Sequence, residues 1–379
     1  MTLSAKPTDN ETGSNPENTV NAYVRSDGRI GVRNRVLVLP SVICSHVVAD
    51  RIAGAVPNAV SAPHDHGCGQ IGADKEQTER TFHGVGANPN IAGTVVVGLG
   101  CETIQSNDVA TRLETAGVRV EELSIQRAGG TDPAIERGVE VATKLTDTDE
   151  TERTTVGLDD ITVGVVSTDV QSSTLNRADP LVGEVIREVV DAGGRAIVAG
   201  TERVQPHASD IVANAANAEI ASQLEELLET QARLPARTIG LRRQAADRSF
   251  PDLARQWGEL PIREVIPYGA SSELDSGVAL VDAPSGFAEA ATALVAAGAH
   301  VVVHVTADGI PTGHPIAPVI KVTGNEDTYE ALADDIDVLA TDPSTTLVDT
   351  VRQVLNGEAS CAEQHGLSEF AITRVGPSM

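Results

Sequence analysis

Ile91-Ala92-Gly93-Thr94-Val95-Val96-Val97-Gly98-Leu99-Gly100-Cys101-Glu102 is the stretch on which the fold turns. Its first half is a short, β-branched apolar run, the pattern of a buried strand. Gly98 and Gly100 then let the backbone turn sharply. A second cluster, His64-Asp65-His66-Gly67-Cys68-Gly69-Gln70, follows another apolar run at 59–63. Histidines, cysteines, a glutamate and a glutamine therefore arrive at the carboxyl ends of strands, where open α/β sheets bind ligands.

Outward from these clusters the chain alternates. Strands are expected at 35–39, 59–63, 94–99 and 118–123, with helices at 44–55, 74–85, 107–116 and 132–145. Strand–helix alternation implies parallel, doubly wound, Rossmann-like sheets, an α/β fold of two to three domains. Residues 1–20 are polar and expected to be disordered. The first α/β domain is placed at 21–150, a middle one at 151–235 and a C-terminal one at 236–379. A charged, Thr-rich linker is read at 146–160, and 233–275 reads as a connector. The middle domain has strands at 161–166 and 195–199, a helix at 180–192 stopped by Gly193-Gly194, and a long helix at 209–232. The last has strands at 278–281, 300–304 and 319–323, a helix at 286–297, and helices from 329 and over 345–355.

Apolar residues make up 41% of the 379 residues and aromatics 2%, so the cores must be built from Val, Ala, Leu and Ile. The net charge is −26, and of 28 basic residues only Lys6, Lys75, Lys144 and Lys321 are lysines. Spread acidity with scarce Lys is the signature of solubility in very high salt, where the Debye length falls to ~3 Å and self-repulsion is screened. An acidic protein with basic partners is the rival reading. Nucleic acid is excluded as an expected partner. No apolar run reaches the ~18 residues of a membrane span and no signal peptide is evident, so a cytoplasmic protein that does not touch membranes is expected. The cysteines show no CxxC spacing and read as reduced thiols.

His64, His66, Cys68 and Gln70 alternate along an extended segment and can line one wall. His and Cys suit Fe, Mn or Zn; the plain reading is a surface histidine and packed neighbours. Cys101, Glu102 and Gln105 form a second group, with Glu102 able to orient or deprotonate a substrate, or simply to sit at a helix N-terminus. Arg29, Arg33 and Asn34 precede the first strand, where two arginines can clamp a carboxylate or make surface ion pairs. Lys321 with Asn325 ends a strand, and burial lowers a lysine pKa into the range of a base. Asp334, Asp335 and Asp337 can bind metal but more often cap a helix. His304, Asp308 and His314 remain open candidates.

These motifs carry a resemblance. The 23–34 stretch Tyr-Val-Arg-Ser-Asp-Gly-Arg-Ile-Gly-Val-Arg-Asn, the 64–70 cluster, Gly98-Leu99-Gly100-Cys101-Glu102, Ile125-Gln126-Arg127-Ala128-Gly129-Gly130, the 315–325 run Pro-Ile-Ala-Pro-Val-Ile-Lys-Val-Thr-Gly-Asn and Asp334-Asp335-Ile336-Asp337 resemble, in order, the catalytic part of the altronate/galactarate dehydratases. The resemblance spans roughly residues 21–379. It implies a metal-dependent hydro-lyase that dehydrates a small hydroxylated sugar acid to a 2-keto-3-deoxy acid, with a divalent ion, Fe2+ or alternatively Mn2+. On that reading His64, His66 and Cys68 serve the metal, and His64, Glu102 and Lys321 the acid–base chemistry. Arg29, Arg33, Asn34, Gln70, Cys101, Gln105 and Asn325 contact substrate. The family's small N-terminal domain, sometimes a separate chain, is not seen here, so a small partner subunit is expected beside homo-oligomers.

Two stretches depart from the family. Thr168-Asp169-Val170-Gln171-Ser172-Ser173 stands where relatives carry Glu-Cys-Gly-Gly-Ser-Asp, and Thr306-Ala307-Asp308-Gly309 where they carry a Thr-Gly-Arg-Gly-like loop. Arg to Asp inverts the local charge and repels a carboxylate. These departures point to a different or less anionic substrate or to a non-catalytic paralogue paired with an active one; the resemblance itself implies a further alternative, sulfite elimination from a sulfonated hydroxy acid, as in related large subunits.

Overall fold

Valine-rich segments, stiff at χ1 and suited to a pleated surface, form two parallel sheets. The structure, a computed structural model, describes residues 18–146, 152–233, 239–342 and 346–376. The first sheet contains β3 (Arg35–Pro40), β4 (Ala59–Ser61), β5 (Ile91–Gly98) and β6 (Val120–Ser124), in the order β4-β3-β5-β6. The expected α/β class with parallel sheets is what forms, and β5 is buried at all eight positions.

The second sheet has seven parallel strands. They are β8 (Thr162–Ser167), β9 (Arg195–Val198), β10 (Ile262–Ile266), β11 (Gly277–Val281), β12 (Val301–Val305), β13 (Val319–Thr323) and β14 (Val338–Leu339), ordered β10-β11-β9-β8-β12-β13-β14. Its hydrogen bonds run across the boundary drawn at 235/236, because β11 pairs with β9 and β12 with β8.

Three further features lie outside the sequence expectations. A small antiparallel sheet joins β1 (Thr19–Val24) to β2 (Ile30–Gly31) and β7 (Arg153–Gly157). Thus β1 begins inside the segment expected to be disordered, and β7 inside the expected linker; residues 1–17 and 147–151 lie outside the described residues. The helix expected over 209–232 is broken into Ala208–Ala213 and Ala218–Arg233. Ala216 N donates to Ile262 O and Ile262 N to Asn214 O, so pairing with β10 captures the backbone between them. The 233–275 connector holds helices and the edge strand β10.

The two sheets share one core. Helix Phe287–Ala296 is apolar nearly all round, with eight buried residues, and packs against helix Gly72–Gly86. An added Cβ at Gly84 would meet Ala296 O and Gly269 O at 2.7 Å, so only glycine permits this approach. Asn88 Nδ2 donates to Val295 O and Ala299 O, and Asn90 Nδ2 to His300 O, pinning the first sheet to the second unit. No described helix is long and apolar enough to cross a membrane.

Candidate functional site

Three loops leave the carboxyl edge of the first sheet and are knitted around Gly67. Gly67 O accepts from Thr103 N and Ile104 N, and Gly67 N donates to Gln70 Oε1 at 3.1 Å. Gly67 has φ +96°, and a Cβ there would lie 2.0 Å from Ser41 O. That position needs glycine both for its left-handed backbone and for the close approach.

The histidines of the 64–70 cluster are bound to the protein itself. His64 Nε2–H donates to Pro40 O at 2.6 Å, and His64 Nδ1 accepts from His66 N at 3.1 Å. Burial lowers the His64 pKa to about 4. Its ring also lies 4.8 Å from Phe82. His66 Nε2–H donates to Ile372 O at 3.0 Å while His66 Nδ1 accepts from Gln70 Nε2 at 2.7 Å. Burial, then the Arg374 guanidinium, lowers its pKa. Cys68 is exposed, as are Cys44 and Cys101.

Glu102 is likewise turned inward. It is buried, accepts from Ser41 Oγ at 3.2 Å and Gly100 N at 2.6 Å, and its backbone carbonyl takes Gln105 Nε2. Arg29 pairs with Asp27 and donates to Ala87 O and Asn88 O. Arg33 pairs with Glu363 at 2.7 Å and donates to Val354 O and Glu358 O. Asn34 accepts from Arg25. Neither arginine faces the loops around Gly67. Lys321 sits in the second sheet, fully buried, with Nζ making no hydrogen bond among the described residues; burial lowers its pKa. Asn325 reaches Ala307 O at 3.4 Å, also in the second unit. The structure therefore brings His64, His66, Cys68, Gln70, Cys101, Glu102 and Gln105 to one sheet edge, and leaves Arg29, Arg33, Asn34, Lys321 and Asn325 elsewhere.

A metal is not fitted by the residues assigned to it. Both ring nitrogens of His64 and His66 are engaged, and among the described residues no group of three His, Cys, Asp or Glu side chains stands close enough to hold an ion.

What the edge does form is a cleft of about 530 Å³. His64, Asp65 and His66 form one wall, His46 and Ile43 another, and Glu289 with Phe370, Ala371, Ile372 and Arg374 the third. His46 is only partly covered and Asp65 is exposed. His46 Nδ1–H donates to Ile43 O, which orients the ring. Sequence reasoning passed over His46, Glu289 and Arg374. His46 and Glu289 stand in the first turns of helices His46–Ala53 and Phe287–Ala296, and Arg374 lies in the closing segment, with no local motif to mark it.

The sequence profile described as D-galactarate dehydratase/Altronate hydrolase, second domain, matches residues 22–148, the unit that supplies His46, Asp65 and His66. The profile described as D-galactarate/Altronate dehydratase, C-terminal, matches 252–378, which supplies Glu289 and Arg374. The chain belongs to the altronate/galactarate dehydratase family.

Members resembling it run the length of the chain. The (2R)-sulfolactate sulfo-lyase subunit beta of Chromohalobacter salexigens is 24% identical over 93% of this chain and 96% of that protein. The altronate dehydratase of Bacillus subtilis is 24% identical over 97% of this chain and 80% of its own length. That of Escherichia coli is 25% identical over 95% and 78%. All are lyases by name, and this altronate/galactarate dehydratase family member stands among lyases.

Proposed function

We propose that this protein removes water from a hydroxylated sugar acid, of the altronate or galactarate type, in the cleft at the first sheet's carboxyl edge. The observation that carries the reading is the cleft's lining: an imidazole at His46, carboxylates at Asp65 and Glu289, and a cation at Arg374, all in one concave space. Dehydration needs a base for the proton α to the carboxylate and an acid for the departing hydroxyl. His46, Asp65 and Glu289 are the groups that can exchange protons there. His64 and His66 are kept neutral by burial, and bonds to Pro40 O and Ile372 O fix their rings, so they shape the wall. The proton taken from the α carbon and the hydroxyl protonated on its neighbour leave an enol that becomes the 2-keto-3-deoxy acid.

The test is 2-keto-3-deoxy acid formation from altronate and galactarate in molar KCl under anaerobic conditions, with and without added Fe2+ or Mn2+. His46→Ala and Glu289→Gln should each lower kcat by about 10²–10⁴-fold. Unchanged kcat in both would place the chemistry elsewhere.

A second reading has its own support. The chain matches almost the whole of a separate beta subunit but about four fifths of the altronate dehydratases. On this reading a small partner subunit completes the enzyme, and sulfite is released from (2R)-sulfolactate. A sulfite assay on the chain purified with its neighbour-encoded partner separates the two. Both readings place the protein in the cytoplasm as an assembly.

A further inference from the structure

We infer that β7 is a docking edge for a second copy of this chain: two copies lay Arg153–Gly157 side by side, antiparallel, across a two-fold axis at Thr155. The inference stands apart from the lyase reading and does not depend on it. Backbone bonding fixes which way β7 faces. In the hairpin from β1 to β2, Arg25 N donates to Arg29 O, and Asn21 N turns to Asn356 Oδ1. Odd-numbered residues of β1 therefore point their backbone groups away from β7, while Val20 and Ala22 point theirs at Val156 and Thr154. Arg153 and Thr155 then present N–H and C=O on the far side of β7, and Gly157 its N–H. Among the described residues none of these groups has a hydrogen-bond partner there, and Thr154 and Thr155 are exposed.

The other described sheet edges are covered or defended. The outer side of β10 is taken by Asn214 O and Ala216 N, and its register shifts between Ile262 and Glu264. β6 carries Glu121 and Glu122, β4 has three residues, and β2 and β14 have two each. Bulges, short strands and charge are the devices that keep edges from pairing. β7 has none of them over Thr154, Thr155 and Val156, a β-branched run in unbroken register with β1. The occupant follows from the pattern. An antiparallel edge is its own complement under a two-fold rotation. Thr155 N and O exchange bonds with their copies, each Gly157 N meets the other copy's Arg153 O, and Thr154 faces Val156. Charge agrees. Two chains of net charge −26 repel over most of their surface, but this run is neutral. At each end Arg153 reaches the other copy's Gly157, against which the Asp159 carboxylate lies, so opposite charges meet. One strand pair is a small interface, which makes the association weak and strengthened by salt.

The experiment is sedimentation of the full chain in molar KCl, over about 1–100 µM protein, where a micromolar association shows. It compares wild type, Thr155→Pro and Thr155→Lys. Thr155 N–H faces away from β1, so proline leaves the β1 ladder intact and removes the central bonds of the dimer. Wild type should dimerise, and Thr155→Pro should raise the dissociation constant by about 5–150-fold, the worth of two hydrogen bonds. Thr155→Lys sets two ammonium groups face to face on the axis and should also separate the copies; it decides the matter if the proline variant does not fold. A second measurement reads the register. With oxidised glutathione as oxidant, Thr155→Cys should cross-link into a covalent dimer, because the facing residues of a bonded pair lie about 5.5 Å apart at Cα. Thr154→Cys faces Val156 and should not exceed wild type, whose exposed Cys44, Cys68 and Cys101 set the background. A wild type that sediments as a monomer throughout overturns the inference, the edge then being free or covered by something other than a second copy. A dissociation constant unmoved by the variants overturns it, as does a Thr155→Cys cross-link no stronger than that of Thr154→Cys, since either joins the copies elsewhere. If wild type forms a larger assembly, Thr155→Pro should halve it, and an unchanged assembly is again a refutation.

Discussion

The carboxyl edges of the two sheets are built alike and end differently. At the first, the loops after β3, β4 and β5 are joined around Gly67, and beside them an open cleft with ionisable groups on its walls remains. At the second, the loops after β8 and β12 close on each other. Asp169 accepts from Ala307 N at 2.7 Å, Gln171 N at 2.9 Å and Thr174 Oγ1 at 2.6 Å. Gln171 Nε2 donates to Asp308 Oδ1 at 3.0 Å, and His304 is held between Thr168 and Thr312. The 168–173 and 306–309 stretches, which the sequence reading sets apart from the family pattern, thus meet in space and satisfy one another. A carboxylate spent on three donors of its own loops has little capacity left for a ligand. The difference teaches that two sheet edges of one kind can end open or closed; at the second, the loops bond across the switch point of the sheet.

Acid should expose how much of each edge depends on neutral histidine. Burial lowers His64 and His300 to about 4, and His304 and His314 to about 3. An unfolded histidine takes its proton near pH 6.5. Between about 6.5 and 4 the unfolded chain therefore binds more protons than the folded one, so stability falls as pH drops through that window and is flat in these groups above it. Asp282, pushed up to about 6 by burial, works in the opposite sense, as do Asp160, Asp179, Asp337 and Glu369, also raised by burial, while burial lowers His66 and His83 with the other four histidines. Denaturant melts at fixed molar salt from pH 8 to 4 should show a steep loss below 6.5 (the histidine reference value). His64→Gln and His304→Gln should each remove about one proton from the slope. A slope that is flat down to pH 5 would mean these rings are not buried in solution.

The foundations of the edges can be broken separately. Beneath the second, Arg203 and Asp179 form a fully buried pair at 2.6 Å, with Ser167 Oγ donating to the same carboxylate. Arg203→Met should cost about 3–5 kcal/mol, because it strands a buried acid. Turnover per folded molecule should be unchanged. Gly67→Ala should cost about 2–4 kcal/mol through its positive φ and the contact with Ser41 O. It should also abolish turnover, since three loops are anchored there. Matched losses of activity in both variants would erase the distinction between the edges.

The smallest expected effect is Asp308→Arg, which inverts the charge at the second edge. Asp308 is exposed and its loss costs one hydrogen bond from Gln171. Kinetic constants on galactarate should stay within about threefold, well below the loss of a charged contact at a true binding site. A tenfold gain would bring the second edge back into the chemistry.

Much of this was legible in the chain. β5 is a β-branched run ended by glycines, and hydrophobic periodicity placed the alternating helices and the parallel sheets. Gly100 carries positive φ where the sequence asked for a sharp turn, while Gly98, read with it, stays within β5. The 64–70 and 101–105 residues do share an edge. Such features follow from local conformational preference and from the rule that parallel strands point their carboxyl ends the same way.

What the tertiary structure alone decided is where each of those side chains points and what reaches it from afar. His64 and Glu102 turned inward because backbone groups of Pro40, His66 and Gly100 needed partners in a buried place. Lys321 shares a sheet with His304, not with His64. β7 reads as linker because its strand partner β1 lies more than a hundred residues away in sequence. Arg374 reached the cleft because Asp74, Gln77 and His66 hold a strap some three hundred residues distant in sequence. Periodicity reports the face a residue presents to its own element; only chain crossing reports which distant segment fills the space in front of it.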